Sequence, residues 1–266
     1  MDIHQTIARN VRYFRNLREL SQEQLAEYAR VDRTYVSKVE AGNRNTTAET
    51  ISKIAKALDV EPHVLLVEGY PDTEIGQMEI NLNSLAESVA NNPSLRSFII
   101  GYQAEYMAKR AIAKQLGLDP AADFKKYDDH DRTHHGDIWF TYKGREYSVE
   151  VKSLQSRLCV YDEDSDSWSG KYQCDGSDAT DVTLPNGSVE HTVAIPFGLF
   201  DFVCVGLFSF GGKWRFAFAK CEDLQPMSAK GRSKISVDNR KYFIKTMQDI
   251  TMPLKSPYTS KIVELL

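Results

Sequence analysis

In the stretch HGDIWFTYKGREYSVEVKS, residues 135–153, three charged side chains stand inside segments whose β-branched and aromatic residues build strands: Asp137, Glu150 and Lys152. Unpaired charge is expensive in a half-buried strand, so these positions need a reason. Alternation sets Asp137, Trp139 and Thr141 on one face of the first strand, and Ser148, Glu150 and Lys152 on one face of the second. A turn around Gly144-Arg145 pairs residue 142 with 147, which sets 137 opposite 152 and 139 opposite 150 and brings the three charges together. Two carboxylates at the end of a hairpin suit a hard divalent cation such as Mg2+, with Asp137 and Glu150 as metal ligands. Such an ion polarises a phosphoryl oxygen and lowers the pKa of a bound water. Lys152 then either orients that water or neutralises charge on a phosphorane-like transition state. The plainer reading is a cross-strand ion pair between Asp137 and Lys152, with Glu105 paired to Lys109 one helical turn on.

The elements that must hold these residues follow from the flanking sequence. LRSFIIGYQAEYMAKRAIAKQLGL, from residue 95, reads as a long helix, with Glu105 as the charged residue on a stripe of Phe98, Tyr102, Ile112 and Leu116. PNGS at 185–188 signals a tight turn, and FDFVCVGLFSFGGKWRFAFAKC reads as two apolar strands around Gly211-Gly212. A helix followed by strands is the pattern of an α+β core. DEDSDSWSG has Ser167 and Gln173 where a calcium loop needs glycine and glutamate, so it is expected to be a solvated loop. His130, His134 and His135 lack a second ligand pair at zinc spacing.

Asp137, followed after twelve residues by Glu150-Val151-Lys152, resembles the motif of the PD-(D/E)xK nucleases, and GKWRFAF adds a softer likeness to type II restriction endonucleases. The resemblance implies an α/β (α+β) restriction-endonuclease-like core with a central mixed sheet. It implies Mg2+-dependent hydrolysis of phosphodiester bonds in double-stranded DNA. Asp137, Glu150 and Lys152 would be catalytic, Glu105 would be the acidic residue such families often carry on the first core helix, and Gln155 would contact substrate or water. The sequence departs from the motif at Gly136, where proline is usual.

Residues 1–66 repeat helical periodicity in short blocks between capping signals. Ser21 with Gln24 forms a capping box that starts a helix ending near Ala29. Asp32 caps the next helix, with Val36 and Val39 inward and Gly42 stopping it, and another follows Thr47 with Ile51, Ile54, Ala55 and Leu58 on one side. Two short helices joined by RVD resemble the helix-turn-helix of the Cro and phage-repressor-like domains, apart from Arg30 where many relatives have glycine. This resemblance implies that Arg33, Thr34 and Lys38 face base edges, that Gln22, Asn43 and Arg44 contact the DNA backbone, and that Arg15 and Glu40 form an internal ion pair.

Composition bounds the rest. The 266 residues carry a net charge of −4, but residues 1–66 hold ten Lys/Arg against nine Asp/Glu and residues 226–266 eight against three, so the acid sits in the middle. Local cationic patches must therefore do any phosphate binding. The four cysteines form no CxxC pair and read as reduced thiols. No apolar run approaches the ~20 residues of a membrane span, and a cytoplasmic protein is expected. The reading is a multidomain chain: an all-α helix-turn-helix domain over 1–68, a linker over 69–94, and the nuclease-like domain over 95–266. Its expected function is that of a homodimeric, site-specific DNA endonuclease whose first domain regulates its own gene or targets DNA. The alternative is a transcriptional repressor with a vestigial nuclease-like second domain.

Overall fold

The computed structural model describes residues 2–78, 82–127, 134–230 and 233–266, and the chain divides into two compact units, 1–96 and 97–266. The first is helical: α1 Ile3–Leu17, α2 Gln22–Ala29, α3 Arg33–Glu40 and α4 Ala48–Ala57 surround Val11, Phe14, Leu25, Val36, Ile54 and Leu58. Each expected start is capped. Ser21 and Gln24 make both bonds of the capping box, Asp32 accepts from the Thr34 N–H, and Thr47 accepts from the Thr50 N–H. Each cap satisfies amides that the first helical turn leaves unpaired.

Glu40 is the polar centre of this unit. Its side chain is 2% exposed, and burying a carboxylate is tolerable only with full pairing. Arg15 supplies two hydrogen bonds, Nε to Oε1 at 2.6 Å and Nη2 to Oε2 at 3.1 Å. Gln22 Nε2 adds a third at 2.8 Å to Oε2, and the Arg12 guanidinium caps the Glu40 carbonyl at 2.7 Å. The anchor joins α1, α2 and the end of α3, which fixes the angle at which α3 is presented.

Within the interval 69–94, expected as a linker, the described residues 69–78 and 82–94 are structured. Tyr70 packs on Phe14 with ring centroids 6.3 Å apart, Asp72 pairs with Arg9, and Thr73 caps the short helix α5 Glu74–Gln77. After it, α6 spans Leu82–Asn91, and Asn83 donates to Glu61 at 2.6 Å. These ties come from single residues, so no period announced them.

In the second unit the long helix α7, Pro93–Leu116, lies with its C-terminal half on a five-stranded sheet. The strands are β1 Phe124–Lys125, β2 Ile138–Tyr142, β3 Arg145–Ser153, then β4 Val160–Asp162, β5 Ser167–Gln173, β6 Asp175–Thr183, β7 Val189–Ala194, β8 Phe202–Gly206, β9 Phe216–Lys220 and β10 Met247–Met252. The main sheet runs β1-β2-β3-β8-β9 and is mixed, since β3 and β8 are parallel and the other neighbours antiparallel. A three-stranded sheet, β10-β5-β4, covers its other face, and β6 and β7 form a ribbon. Residues 155–191 are largely these strands, and the acidic segment expected to be a solvated loop contributes the end of β4, the turn at 163–166 and the start of β5.

Two expectations about α7 and the hairpin change. The buried stripe of α7 is Ala104, Ala108, Ile112 and Ala113, while Phe98 is 67% and Tyr102 55% exposed. Small residues win because the helix approaches the sheet closely: a Cβ on Gly206 would stand 3.4 Å from that of Ala104. The β2–β3 loop is Lys143-Gly144, both at positive φ, the signature of a two-residue turn whose twist matches the strands. It pairs 142 with 145 and 138 with 149, which continues to set Asp137 beside Glu150 rather than Lys152. The slip is two residues, so every side chain keeps its expected face.

Arg30 ends α2 at φ 54 and ψ 47, the left-handed region that disfavours a Cβ. Arg30→Gly is therefore expected to stabilise the fold by about 1 kcal/mol. Denaturant unfolding of the full chain checks this; an unchanged or lower midpoint contradicts it.

Candidate active site and nucleic-acid interface

The turn helix α2 and the following α3 present a polar surface. Arg33, Thr34, Ser37 and Lys38 are exposed on α3, with Val36 and Val39 buried behind them. The Thr34 hydroxyl donates to Asp32, so Thr34 also locks the start of the helix. Asn43 and Arg44 are exposed beyond α3, and the Arg44 guanidinium lies 5.0 Å over the Tyr35 ring, which holds it against the surface. Gln22, expected at the DNA backbone, gives one of its two amide N–H donors to Glu40. That bond ties the start of α2 to the end of α3.

In the second unit the charged residues of β2 and β3 meet. Asp137 precedes β2, and its Oδ2 accepts the Val151 N–H at 2.6 Å while its own N–H reaches the Val149 carbonyl at 2.9 Å. Gly136, at φ 110, lets the chain enter this position with little room for a Cβ, 3.3 Å from that of Ser148. Proline, locked near φ −65°, could not adopt that backbone. Lys152 Nζ bonds Glu150 Oε1 at 2.7 Å and sits 3.5 Å from the Asp175 carbonyl at the start of β6. Glu105 on α7 is held at 2.6 Å by Lys126, not by Lys109.

Asp137, Glu150, Lys152 and Glu105 all line one cavity of about 990 Å3. Gln155 does not; its amide reaches Gln173 at 2.7 Å on the second sheet. Four charged lining residues were not singled out from sequence: Lys126, Asp175, Asp178 and Asp181. The signal for the last three was available, since acids inside the β-rich run CDGSDATDVT pose the same question as those of β2 and β3. Burial and then the Glu150 charge push the Asp137 carboxyl up to about 7, against the pull of the Val151 N–H and Lys152. Burial opposes the Lys152 ammonium, yet Glu150 and Asp137 carry it above the usual lysine value. Like charges are thus crowded on the acid side.

Among the described residues no group of three or more His, Cys, Asp or Glu side chains is arranged to hold a metal by itself. Mg2+ keeps much of its water and takes one or two protein carboxylates, so the donor set offered by Asp137 and Glu150 fits such an ion. His130 lies outside the described residues, and His134 stacks on Tyr127 with centroids 3.6 Å apart.

Comparison with known proteins bears on the first unit. The family model described as Helix-turn-helix matches residues 11–65. Control protein C.SmaI of Serratia marcescens is 47% identical over 70 residues, 26% of this chain and 83% of that protein. Control protein C.BamHI of Bacillus amyloliquefaciens is 49% identical over 47 residues, 18% of this chain and 58% of that one. Among solved structures, the restriction-modification controller protein C.AhdI of Aeromonas hydrophila is 42% identical, covering 23% of this chain and 94% of its own, with a TM-score of 0.23. These controller relatives correspond to the first unit and leave the sheet unit uncovered. Through residues 11–65 the chain belongs to the helix-turn-helix family, with control proteins of restriction-modification systems as its relatives.

Proposed function

We propose that the chain is a DNA-binding regulator of the controller type, reading an operator with α3 of two copies. The observation that carries this is the 47% identity to a control protein across 83% of its length, joined to an α3 whose exposed residues are Arg33, Thr34 and Lys38. Arg and Lys pair with guanine edges in the major groove, and a short reading helix covers one half-site, so a two-fold dimer supplies the second. This reading has more behind it than a site-specific endonuclease, because the relatives are regulators.

A second reading concerns residues 97–266 and rests on a separate observation: Asp137, Glu150, Lys152 and Glu105 share one cavity. We infer that this unit hydrolyses phosphodiester bonds in double-stranded DNA with Mg2+. Asp137 and Glu150 would hold the ion, which supplies Lewis acidity at a phosphoryl oxygen and a more acidic water. The Val151 N–H fixes the Asp137 carboxylate, and Glu150 fixes the Lys152 ammonium within reach of a transferring phosphoryl group, where a preorganised cation favours the charge that develops. A chain that regulates its own gene and cuts DNA would join both halves of the reading. No described helix is long and apolar enough to cross a membrane.

Arg33→Ala combined with Lys38→Ala is expected to weaken binding to DNA upstream of the chain's own coding segment at least tenfold, from ~1–3 kcal/mol per base contact. Anisotropy titration in Ca2+, with unchanged thermal stability, checks it; unchanged affinity contradicts the interface.

The raised Asp137 carboxyl has a sign for stability. Its folded-state pKa of about 7 exceeds the ordinary 3.8, so the stability it lends is complete below 3.8 and is lost as pH rises through 7. Asp137→Asn is therefore expected to melt above wild type in mildly alkaline buffer, with the gap closing towards acid pH. Mg2+ should raise the melting temperature of the wild type and not of the variant. A wild type insensitive to Mg2+ contradicts the cation site.

A further inference from the structure

Aromatic rings share the cavity with the carboxylate centre. Phe98 and Tyr102 stand one turn apart on α7, 67% and 55% exposed, and both line the cavity that holds Asp137 and Glu150. Tyr127 lines it as well, stacked on His134. Lys126 links the two features, because its ammonium lies 5.1 Å over the Tyr102 ring while donating to Glu105 at 2.6 Å. Large exposed apolar rings cost solvation free energy, and here they adjoin a polar centre rather than the protein core. A backbone phosphate at Lys152 needs nothing from them, and about 990 Å3 is far more room than a phosphate fills.

The ligand that suits this lining is planar, has π faces, and donates hydrogen bonds. Rings stack on flat ligands, and the remaining wall, with Asp178 and Asp181 beside the Thr180 and Thr192 hydroxyls, is rich in acceptors and disfavours a second anion. A nucleobase with an exocyclic amino group meets all three conditions. We propose that Phe98 and Tyr102 form a base-stacking subsite, which takes a nucleobase unstacked from the strand next to the phosphodiester held at Asp137 and Glu150. The subsite rests on the phosphodiesterase reading of the same cavity. Unstacking costs a few kcal/mol in duplex DNA and much less in single strands, so single strands isolate the subsite from the helix-turn-helix.

The test uses the full chain in Ca2+ with fluorescent single-stranded oligonucleotides that are either all adenine or abasic at central positions. Wild type is expected to bind the adenine strand roughly tenfold more tightly than the abasic one. Phe98→Ala with Tyr102→Ala should erase that difference and leave abasic binding unchanged; both residues are exposed, and a matched melting temperature verifies the fold. Equal binding of the two strands by wild type overturns the subsite. So does discrimination that survives the double variant, or a change of oligomeric state that marks the face as a subunit contact. If wild type binds neither strand with Ca2+ present and leaves duplex DNA uncut with Mg2+, the phosphodiesterase reading fails together with the subsite; if wild type cuts duplex DNA with Mg2+ while binding both strands equally or not at all, the subsite alone fails.

Discussion

The hydrogen bond from the Val151 N–H to Asp137 Oδ2 joins fold and site in the second unit. β3 pairs with β2 on one side and in parallel with β8 on the other, so it is a strand that cannot shift without unpicking both neighbours. Val149 and Val151 lock one face under α7, and the pleat then has no choice but to put Glu150 and Lys152 on the opposite face. With Asp137 tied to the backbone between them, two carboxylates are held in fixed proximity inside a partly buried cavity. That arrangement is unfavourable for an isolated protein and favourable for one that receives a cation. Six lining carboxylates against two lysines make the same point for the cavity as a whole: its lining charge favours a cation.

The first unit solves a related problem in the opposite way. Glu40 is more deeply buried than Asp137, but Arg15 and Gln22 satisfy its carboxylate within the protein. A carboxylate completed internally needs no ligand and serves as a brace, here setting the pose of α3. Removing Arg15 would leave a buried charge without compensation, which is worse than never having had the pair. One chain thus carries a closed ionic centre where geometry must be held and an open one where chemistry is proposed.

Much of this was legible because it is local. Ser21 with Gln24, Asp32 and Thr47 mark helix starts through bonds made within three residues, and alternation assigns Glu150 and Lys152 to a face without knowledge of the partner strand. What escaped depends on tertiary contact or on unusual backbone. Lys143 at φ 50 is a non-glycine in a glycine-like conformation, so the turn was placed one residue late and the register slid by two. Large apolar residues such as Phe98 and Tyr102 were expected in the core of α7, where close approach to Gly206 admits alanine instead. Gln22 was assigned by its position in a motif, and only the fold reveals its bond to Glu40. The restriction-endonuclease-like identity of the sheet unit stays a proposal, since the matches to known proteins lie in the first unit.

The most direct measurement is cleavage of unmodified DNA from the chain's own locus, for wild type and Glu150→Gln, with Mg2+ and with chelator, alongside binding of the same fragment. A regulator fused to a phosphodiesterase predicts Mg2+-dependent scission by wild type and none by the variant, while both bind. Intact DNA after incubation with a wild type that binds the fragment, in saturating Mg2+, would contradict the catalytic half and leave a regulator alone.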